Sequence, residues 1–234
     1  VKRFLDLLHK GGHYGGFYIL PLKWCLHAHS TGYDGSRWFE EHDAMANVCV
    51  DSQGRPITSK YDWEWRKRYF MCGGAPVTRS EIVEAFSRLA DCGADYLQLD
   101  TFNGRLYDCW SGEHGHYPGP GRWQSDLAVS LIREIQAASK PFLFTVEGEP
   151  TEALLQVGHG FVERGLAPMR TKGWEMIPLF QFVYHQYAQG FCGENAGSWN
   201  TPDNFYYLSA ITIASGDMLM VNLSEEGKIA VQTH

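Results

Sequence analysis

The chain of 234 residues carries a net charge of −7 and no basic run, which argues against nucleic acid as a partner. No apolar stretch approaches the roughly 20 residues that a membrane-crossing helix needs, so no membrane partner is expected. The six cysteines, Cys25, Cys49, Cys72, Cys92, Cys109 and Cys192, are scattered without a C-x-x-C pair, a spacing that argues against a structural zinc site or a small disulfide scaffold.

This length suits one sizeable core, and residues 1–234 are expected to form a single domain. The chain opens directly into the amphipathic segment Phe4-Leu5-Asp6-Leu7-Leu8 and stops after a strand-like run, so it is expected to be a piece of a longer one. In chain order, strand-like runs cover 17–22, 68–72, 95–100, 141–147, 176–184 and 217–222. Most are continuous apolar runs, as expected of strands buried on both faces. Helical patterns fall between them. Thr78 or Ser80 caps one, with Ile82, Val83, Phe86, Leu89 and Ala90 on one face and Gly93 as the stop. A second, 124–139, carries Leu127, Leu131, Ile132 and Ile135 on one face. A third starts at Thr201-Pro202-Asp203, with Pro at the first helical position, and runs through Phe205, Leu208, Ile211 and Ile213. A fourth, less regular helix is expected between Glu149 and Arg164.

Alternating strand and helix predicts an α/β fold with a parallel sheet. The six strands are placed as strands two to seven of a (β/α)8 barrel. A doubly wound open sheet is the competitor, disfavoured because no Gly-rich phosphate loop follows any strand. Segment 31–67 is polar and aromatic and too long for an ordinary strand-to-helix loop, so it is predicted to form an elaborated rim over the cleft.

Two apolar runs end on an acid: Ala94-Asp95-Tyr96-Leu97-Gln98-Leu99-Asp100 and Pro141-Phe142-Leu143-Phe144-Thr145-Val146-Glu147. An acid just past the last buried residue of a strand stands where the strand opens into a cleft, the end at which barrel enzymes keep their chemistry. Two carboxylates across a cleft are the minimum kit for glycosidic bond cleavage, one as nucleophile and one as acid. Asp100 and Glu147 are the candidate pair. Taken singly, such an acid is more often a helix cap or an ion-pair partner. Asp95, at the start of its strand, is expected to be structural, and Glu149 is the rival to Glu147. To act as an acid near neutral pH, Glu147 needs a pKa above the ordinary value of about 4.3.

The pattern Gly93-Ala94-Asp95-Tyr96-Leu97-Gln98-Leu99-Asp100, then Cys109-Trp110-Ser111 and His114-Gly115-His116, then Val146-Glu147-Gly148-Glu149-Pro150, resembles the barrel of certain glycoside hydrolases. The families are the endo-α-N-acetylgalactosaminidase-like and melibiase-like barrels, with related uncharacterised bacterial proteins. The resemblance covers residues 90–150, with weaker support to about 220. It implies that Asp100, ending the fourth barrel strand, is the nucleophile. In the endo-α-N-acetylgalactosaminidase-like branch a later Glu is the acid/base, which implies that role for Glu147. The melibiase-like branch instead uses an Asp on a later strand.

The loop from Tyr107 to Gly121 crowds polar and aromatic side chains onto a Gly/Pro backbone, the composition of a ligand-binding loop. Its alternative is a rim loop ordered by its own aromatics. Aromatic residues make up 14% of the chain, eight of them Trp, and sugar faces pack on such rings. Trp24, Trp110 and Tyr117 are therefore candidate sugar platforms, His114 and His116 candidate partners of hydroxyls, and Glu113 a further carboxylate nearby. Glu149, Tyr184 and His185 complete the candidate subsite. Asp100 is expected to be held ionised by donors from the 101–121 loop or from Tyr184 and His185.

A metal-dependent amidohydrolase would use His27 and His29, an H-x-H after the first strand, with His185 at a later strand end. A carbohydrate-binding barrel without catalysis is a third reading. The glycosidase reading comes first; it takes a carbohydrate substrate and needs no metal and no cofactor.

Overall fold

A computed structural model of the chain describes residues 1–28, 33–58, 68–163, 177–192, 206, 209–210 and 212–220. Its elements run α1 (Lys2–Lys10), β1 (Gly16–Ile19), β2 (Lys23–Cys25), β3 (His27–Ala28), β4 (Tyr33–Asp34), α2 (Ser36–Glu41), β5 (Arg68–Phe70), α3 (Pro76–Asp91), β6 (Tyr96–Leu99), α4 (Trp123–Ala138), β7 (Leu143–Glu147), β8 (Gly160–Glu163), α5 (Leu179–Tyr184) and β9 (Gln189–Cys192).

Five strands form one parallel sheet in the order β1-β6-β7-β8-β9, and a parallel bridge from Phe191 to Met218 extends it. Every strand joins at the edge its predecessor left open. That is how a barrel is wound, whereas a doubly wound sheet reverses direction part-way. The fold is α/β, and the sheet is a part of a (β/α)8 barrel.

Burial along the strands alternates. Leu97 and Leu99 of β6 and Phe144 and Val146 of β7 are buried against Ile82, Phe86 and Ala90 of α3 and Leu131, Ile132 and Ile135 of α4. Each such side chain contributes about 1.5–3 kcal/mol by leaving water. The opposite face carries Tyr18, Tyr96 and Leu143, all more than a third exposed. In a closed barrel this face would turn inward; among the described residues it stands open. Aromatic and apolar residues occupy the open face too, so the runs look continuous in sequence while only every second residue is packed.

Two helices begin and end close to expectation. α3 starts at Pro76 rather than behind a Thr78 or Ser80 cap, because Pro at the first helical position needs no N–H partner and Thr78 is buried. Gly93, at φ +98°, turns the chain out of α3 and into β6. The third expected helix falls largely outside the described residues; 206, 209–210 and 212–214 are helical.

Three assignments change. Residues Arg68–Phe70 pair antiparallel with β2 and belong to an insertion between β1 and α3, not to the barrel sheet. This insertion holds α2, a 3-10 turn at Ala44–Asn47 and its own core of Leu26, Phe39, Ala44, Val48, Tyr69 and Met71. The run expected as a strand at 176–184 contains α5, because Phe180 and Tyr184, four apart, pack on one another and Phe180 packs on Phe161. The helix expected between Glu149 and Arg164 is a single 3-10 turn, Leu154–Gln156, followed by β8.

Candidate active site

The chain leaves β6 through Asp100, whose N–H donates to the Ile19 carbonyl at 2.8 Å. This extends the β1–β6 ladder by one residue and sets Asp100 on the same face as Gln98. Glu147 is the last residue of the neighbouring β7 and shares that face with Thr145. Tyr18 of β1 pairs with Gln98 and lies on the face as well. Its hydroxyl donates to Glu147 Oε2 at 3.3 Å and faces the Asp100 carboxylate. Partial burial, then the Asp100 carboxylate and the charge of Glu147, push the Tyr18 phenol well above its ordinary range. The phenol therefore stays protonated, and its one O–H is donated to Glu147.

Thr101 shapes the same corner. It adopts φ +55°, a left-handed conformation that costs a β-branched residue about 1–3 kcal/mol. In return its N–H reaches Glu147 Oε2 at 3.4 Å and its hydroxyl meets the Tyr107 hydroxyl at 2.8 Å. The Tyr107 ring stacks on Phe70 with centroids 4.5 Å apart. Burial, with the Asp100 charge adding to it, pushes the Tyr107 phenol up to about 12. A cavity of about 370 Å³ opens beside this corner, lined by Thr101, Asn103, Arg105, Tyr107 and Asp108 among others. Neither this cavity nor the one of about 400 Å³ against Trp24, Trp38 and α3 is lined by Tyr18, Asp100 or Glu147 themselves.

The profile described as "Domain of unknown function (DUF6259)" matches residues 6–194 of the 234. The chain belongs to the DUF6259 family. No curated protein sequence matches it. Among solved structures it is similar to TtGalA, an α-galactosidase from Thermus thermophilus in complex with stachyose, at 14% identity and TM-score 0.64, covering 97% of this chain and 50% of that one. It is also similar to the α-N-acetylgalactosaminidase NagBb from Bifidobacterium bifidum (GalNAc complex), at 17% identity and TM-score 0.58, covering 81% of this chain and 28% of that one. A third is Aspergillus fumigatus Ega3 in complex with galactosamine, at 12% identity and TM-score 0.59, covering 100% and 83%. The chain thus spans half the length of the Thermus protein. The likeness shows the fold: this DUF6259 chain is built like the barrels of glycoside hydrolases.

Within that DUF6259 barrel the residues expected at the site separate into groups. Asp100 and Glu147 come together. Glu149 stands exposed, its charge felt by Asp217. Asp95 is structural, as expected. Burial would raise its pKa, but the Gly15 N–H at 2.7 Å and His9 at 2.8 Å outweigh this and hold it below the ordinary carboxylate value. That pair ties α1 to the start of β6.

The aromatic and histidine candidates fare differently. Trp24 stacks on Trp38 at 4.0 Å inside the insertion, and Trp38 on His42 at 4.1 Å. The Trp110 N–H donates to the Val50 carbonyl at 2.9 Å and Gly119 covers its indole, so Trp110 docks the loop on the insertion. Tyr117 is 86% exposed. His114 is buried, with Nε2 on the Ala46 carbonyl at 2.6 Å and Nδ1 by Cys109 Sγ at 3.4 Å. His116 stacks on Trp123 at 3.7 Å, with Nε2 by Cys72 Sγ at 3.1 Å. Neither imidazole has a nitrogen left for a sugar hydroxyl. Tyr184 hydrogen-bonds Glu152, and His185 caps α5 with Nδ1 on the Gln181 carbonyl at 3.1 Å. Both sit on a helix instead of a strand end.

The same finding removes the frame of the three-histidine alternative. His27 belongs to the two-stranded β3–β4 ribbon, His29 lies outside the described residues and His185 ends a helix. The residues that sequence reading passed over are Tyr18 and Thr101. The alternation Gly16-Phe17-Tyr18-Ile19 was the available signal for Tyr18, since it sets the phenol on the face of the strand-end acids.

Proposed function

We propose that this chain carries the catalytic pair of a retaining glycoside hydrolase acting on α-linked galactose or N-acetylgalactosamine units of an oligosaccharide or glycoconjugate. The observation that carries the reading is that both strand-end acids face the single Tyr18 hydroxyl, which donates to Glu147. Strand-end acids that face one hydroxyl suit the separation of about 5–5.5 Å that direct nucleophilic attack requires. The sugar class follows the names of the structural neighbours, an α-galactosidase and an α-N-acetylgalactosaminidase.

In the first step Asp100 attacks the anomeric carbon while Glu147 protonates the departing glycosidic oxygen, giving a glycosyl ester on Asp100 and a free alcohol. In the second step Glu147, now a carboxylate, takes a proton from water, whose oxygen displaces Asp100 and releases the sugar with its configuration retained. Tyr18 faces Asp100 and helps to aim it, the positioning role expected of the 101–121 loop or of Tyr184 and His185. Thr101 fixes Glu147 through its backbone N–H.

The test is hydrolysis of p-nitrophenyl α-galactoside and α-N-acetylgalactosaminide by wild type, Asp100→Asn and Asp100→Ala. Loss of turnover in both variants, with azide restoring product formation in Asp100→Ala as a glycosyl azide, supports the assignment. Undiminished activity in either variant overturns it.

A further inference from the structure

Away from the acids, the loop 101–121 and the insertion bring three thiols and two imidazoles into one buried knot. Cys49, Cys72 and Cys109 are buried to within 1% of full burial, and His114 is 5% exposed. Cys49 packs with both Cys72 and Cys109 in one buried cluster. Cys72 Sγ lies 3.1 Å from His116 Nε2, and Cys109 Sγ lies 3.4 Å from His114 Nδ1. The four ligating atoms of Cys72, Cys109, His114 and His116 all fall within 4.8 Å of one another.

The outer sides of the two rings decide how the knot reads. His114 Nε2 faces the Ala46 carbonyl at 2.6 Å, and His116 Nδ1 faces the Tyr117 carbonyl at 2.9 Å. A carbonyl oxygen only accepts, so each of these nitrogens carries the ring proton. In the neutral rings the inward nitrogens, His114 Nδ1 and His116 Nε2, therefore present lone pairs to the thiols. An imidazole anchored by a carbonyl on one nitrogen and bare on the other is the arrangement that metal-binding histidines adopt. Stacking on Trp123 holds the His116 ring in plane.

We propose that Cys72 Sγ, Cys109 Sγ, His114 Nδ1 and His116 Nε2 form a tetrahedral zinc site, with Cys49 packed beside the coordinated sulfurs. Tetrahedral zinc with two sulfurs and two nitrogens sets its ligand atoms about 3.3–3.8 Å apart. The two sulfur–nitrogen contacts, 3.1 and 3.4 Å, are already within a few tenths of an ångström of that range. Binding converts two thiols and a zinc ion into a neutral dithiolate complex and releases two protons to solvent. A disulfide among the three thiols is the competing chemistry. Any such bridge takes up Cys72, Cys109 or both, and so leaves at least one inward nitrogen without its thiol donor.

Four protein ligands close the coordination sphere, so the role is structural. The metal joins Cys72, which ends the insertion, to the loop that starts at Thr101, and so fixes one wall of the cleft. The site does not depend on the glycosidase reading. Spacing in sequence hid it, because the ligands come from two connections instead of one C-x-x-C unit.

The experiment is elemental analysis of the purified protein after growth with zinc and dialysis against metal-free buffer. One zinc per chain is expected in wild type and in Cys92→Ser, a thiol outside the knot, and under a tenth of that in Cys109→Ser and His114→Ala. Should those variants fail to fold, wild type exchanged with Co(II) gives the answer alone: intense visible bands of tetrahedral cobalt with thiolate-to-metal charge transfer. Folded wild-type protein that holds no zinc and shows no such spectrum overturns the proposal. So does a disulfide between any two of Cys49, Cys72 and Cys109 in peptide mapping.

Discussion

The two halves of the loop after β6 are built for opposite purposes from the same kinds of residue. Its first residues, Thr101 to Tyr107, stay beside Asp100 and Glu147 at the open end of the sheet and border a cavity. Its later residues, Cys109 to His116, turn inward and spend their side chains on the insertion. One half keeps polar groups where a ligand can reach them, and the other uses polar groups to hold the first half still. A crowd of histidines and aromatics is therefore not in itself a binding surface. Which nitrogen is already occupied decides the matter.

The comparison is broken most sharply by treating both halves with single substitutions. Asp100→Asn is expected to lower kcat by about 10³-fold or more, about 4 kcal/mol of barrel-end transition-state stabilisation, while the melting temperature stays near wild type. Glu147→Gln should lose about 10²–10⁴-fold on a poor leaving group and far less on a nitrophenyl glycoside. On that activated substrate the alkaline limb of the rate profile should vanish. If the limb persists in Glu147→Gln and vanishes in Glu149→Gln, the acid is Glu149.

Cys109→Ala should do the reverse, costing about 2–4 kcal/mol in denaturant unfolding because a buried inward nitrogen of His114 loses its partner. Turnover per folded molecule should fall by less than about tenfold, which is 1.4 kcal/mol. A large loss of turnover without loss of stability would mean the knot belongs to the chemistry.

Tyr18→Phe sharpens the open end. It removes a hydrogen bond to a charged acceptor worth about 1.5–3 kcal/mol, so kcat should fall by about 10- to 100-fold. Stability should change by less than about 0.5 kcal/mol, as at other half-exposed positions.

The smallest effect concerns Asp217, pushed up to about 6 by burial and then by the charge of Glu149. A carboxyl that titrates higher in the folded than in the unfolded state holds the extra proton only when folded. Folding stability therefore falls as pH rises from about 4 to about 6 and stays lower above that. Asp217→Asn should gain about 1–2 kcal/mol at pH 7, allowing for solvent screening, and nothing at pH 4. Equal gains at both values would show that the effect is not electrostatic.

The strand-end acids were legible in the sequence because a carboxylate closing an apolar run has few other places to stand. The parallel, barrel-like winding followed from strand–helix alternation through β1, β6 and β7. β8 and β9 were not legible: each is four residues long and contains a glycine, too short to show a period. α5 was misread because Leu179 to Tyr184 is apolar throughout, and only the four-residue spacing of Phe180 and Tyr184, realised by packing on Phe161, marks it as a helix. Tyr18 escaped because an aromatic in an apolar run looks like core until the sheet's open face is known. His114 and His116 were assigned to sugar because nothing local announces Cys72 as a neighbour more than 35 residues away, 3.1 Å from His116.

The most direct measurement is to trap the glycosyl-enzyme. A fluorinated α-galactosyl fluoride, whose ester hydrolyses slowly, is incubated with the protein, and the labelled peptide is identified by mass spectrometry. The account predicts one sugar per chain attached to Asp100, with no label in Asp100→Asn and faster labelling than turnover in Glu147→Gln. A label on Glu147 or Glu149, or turnover without any label and with inverted product, contradicts it.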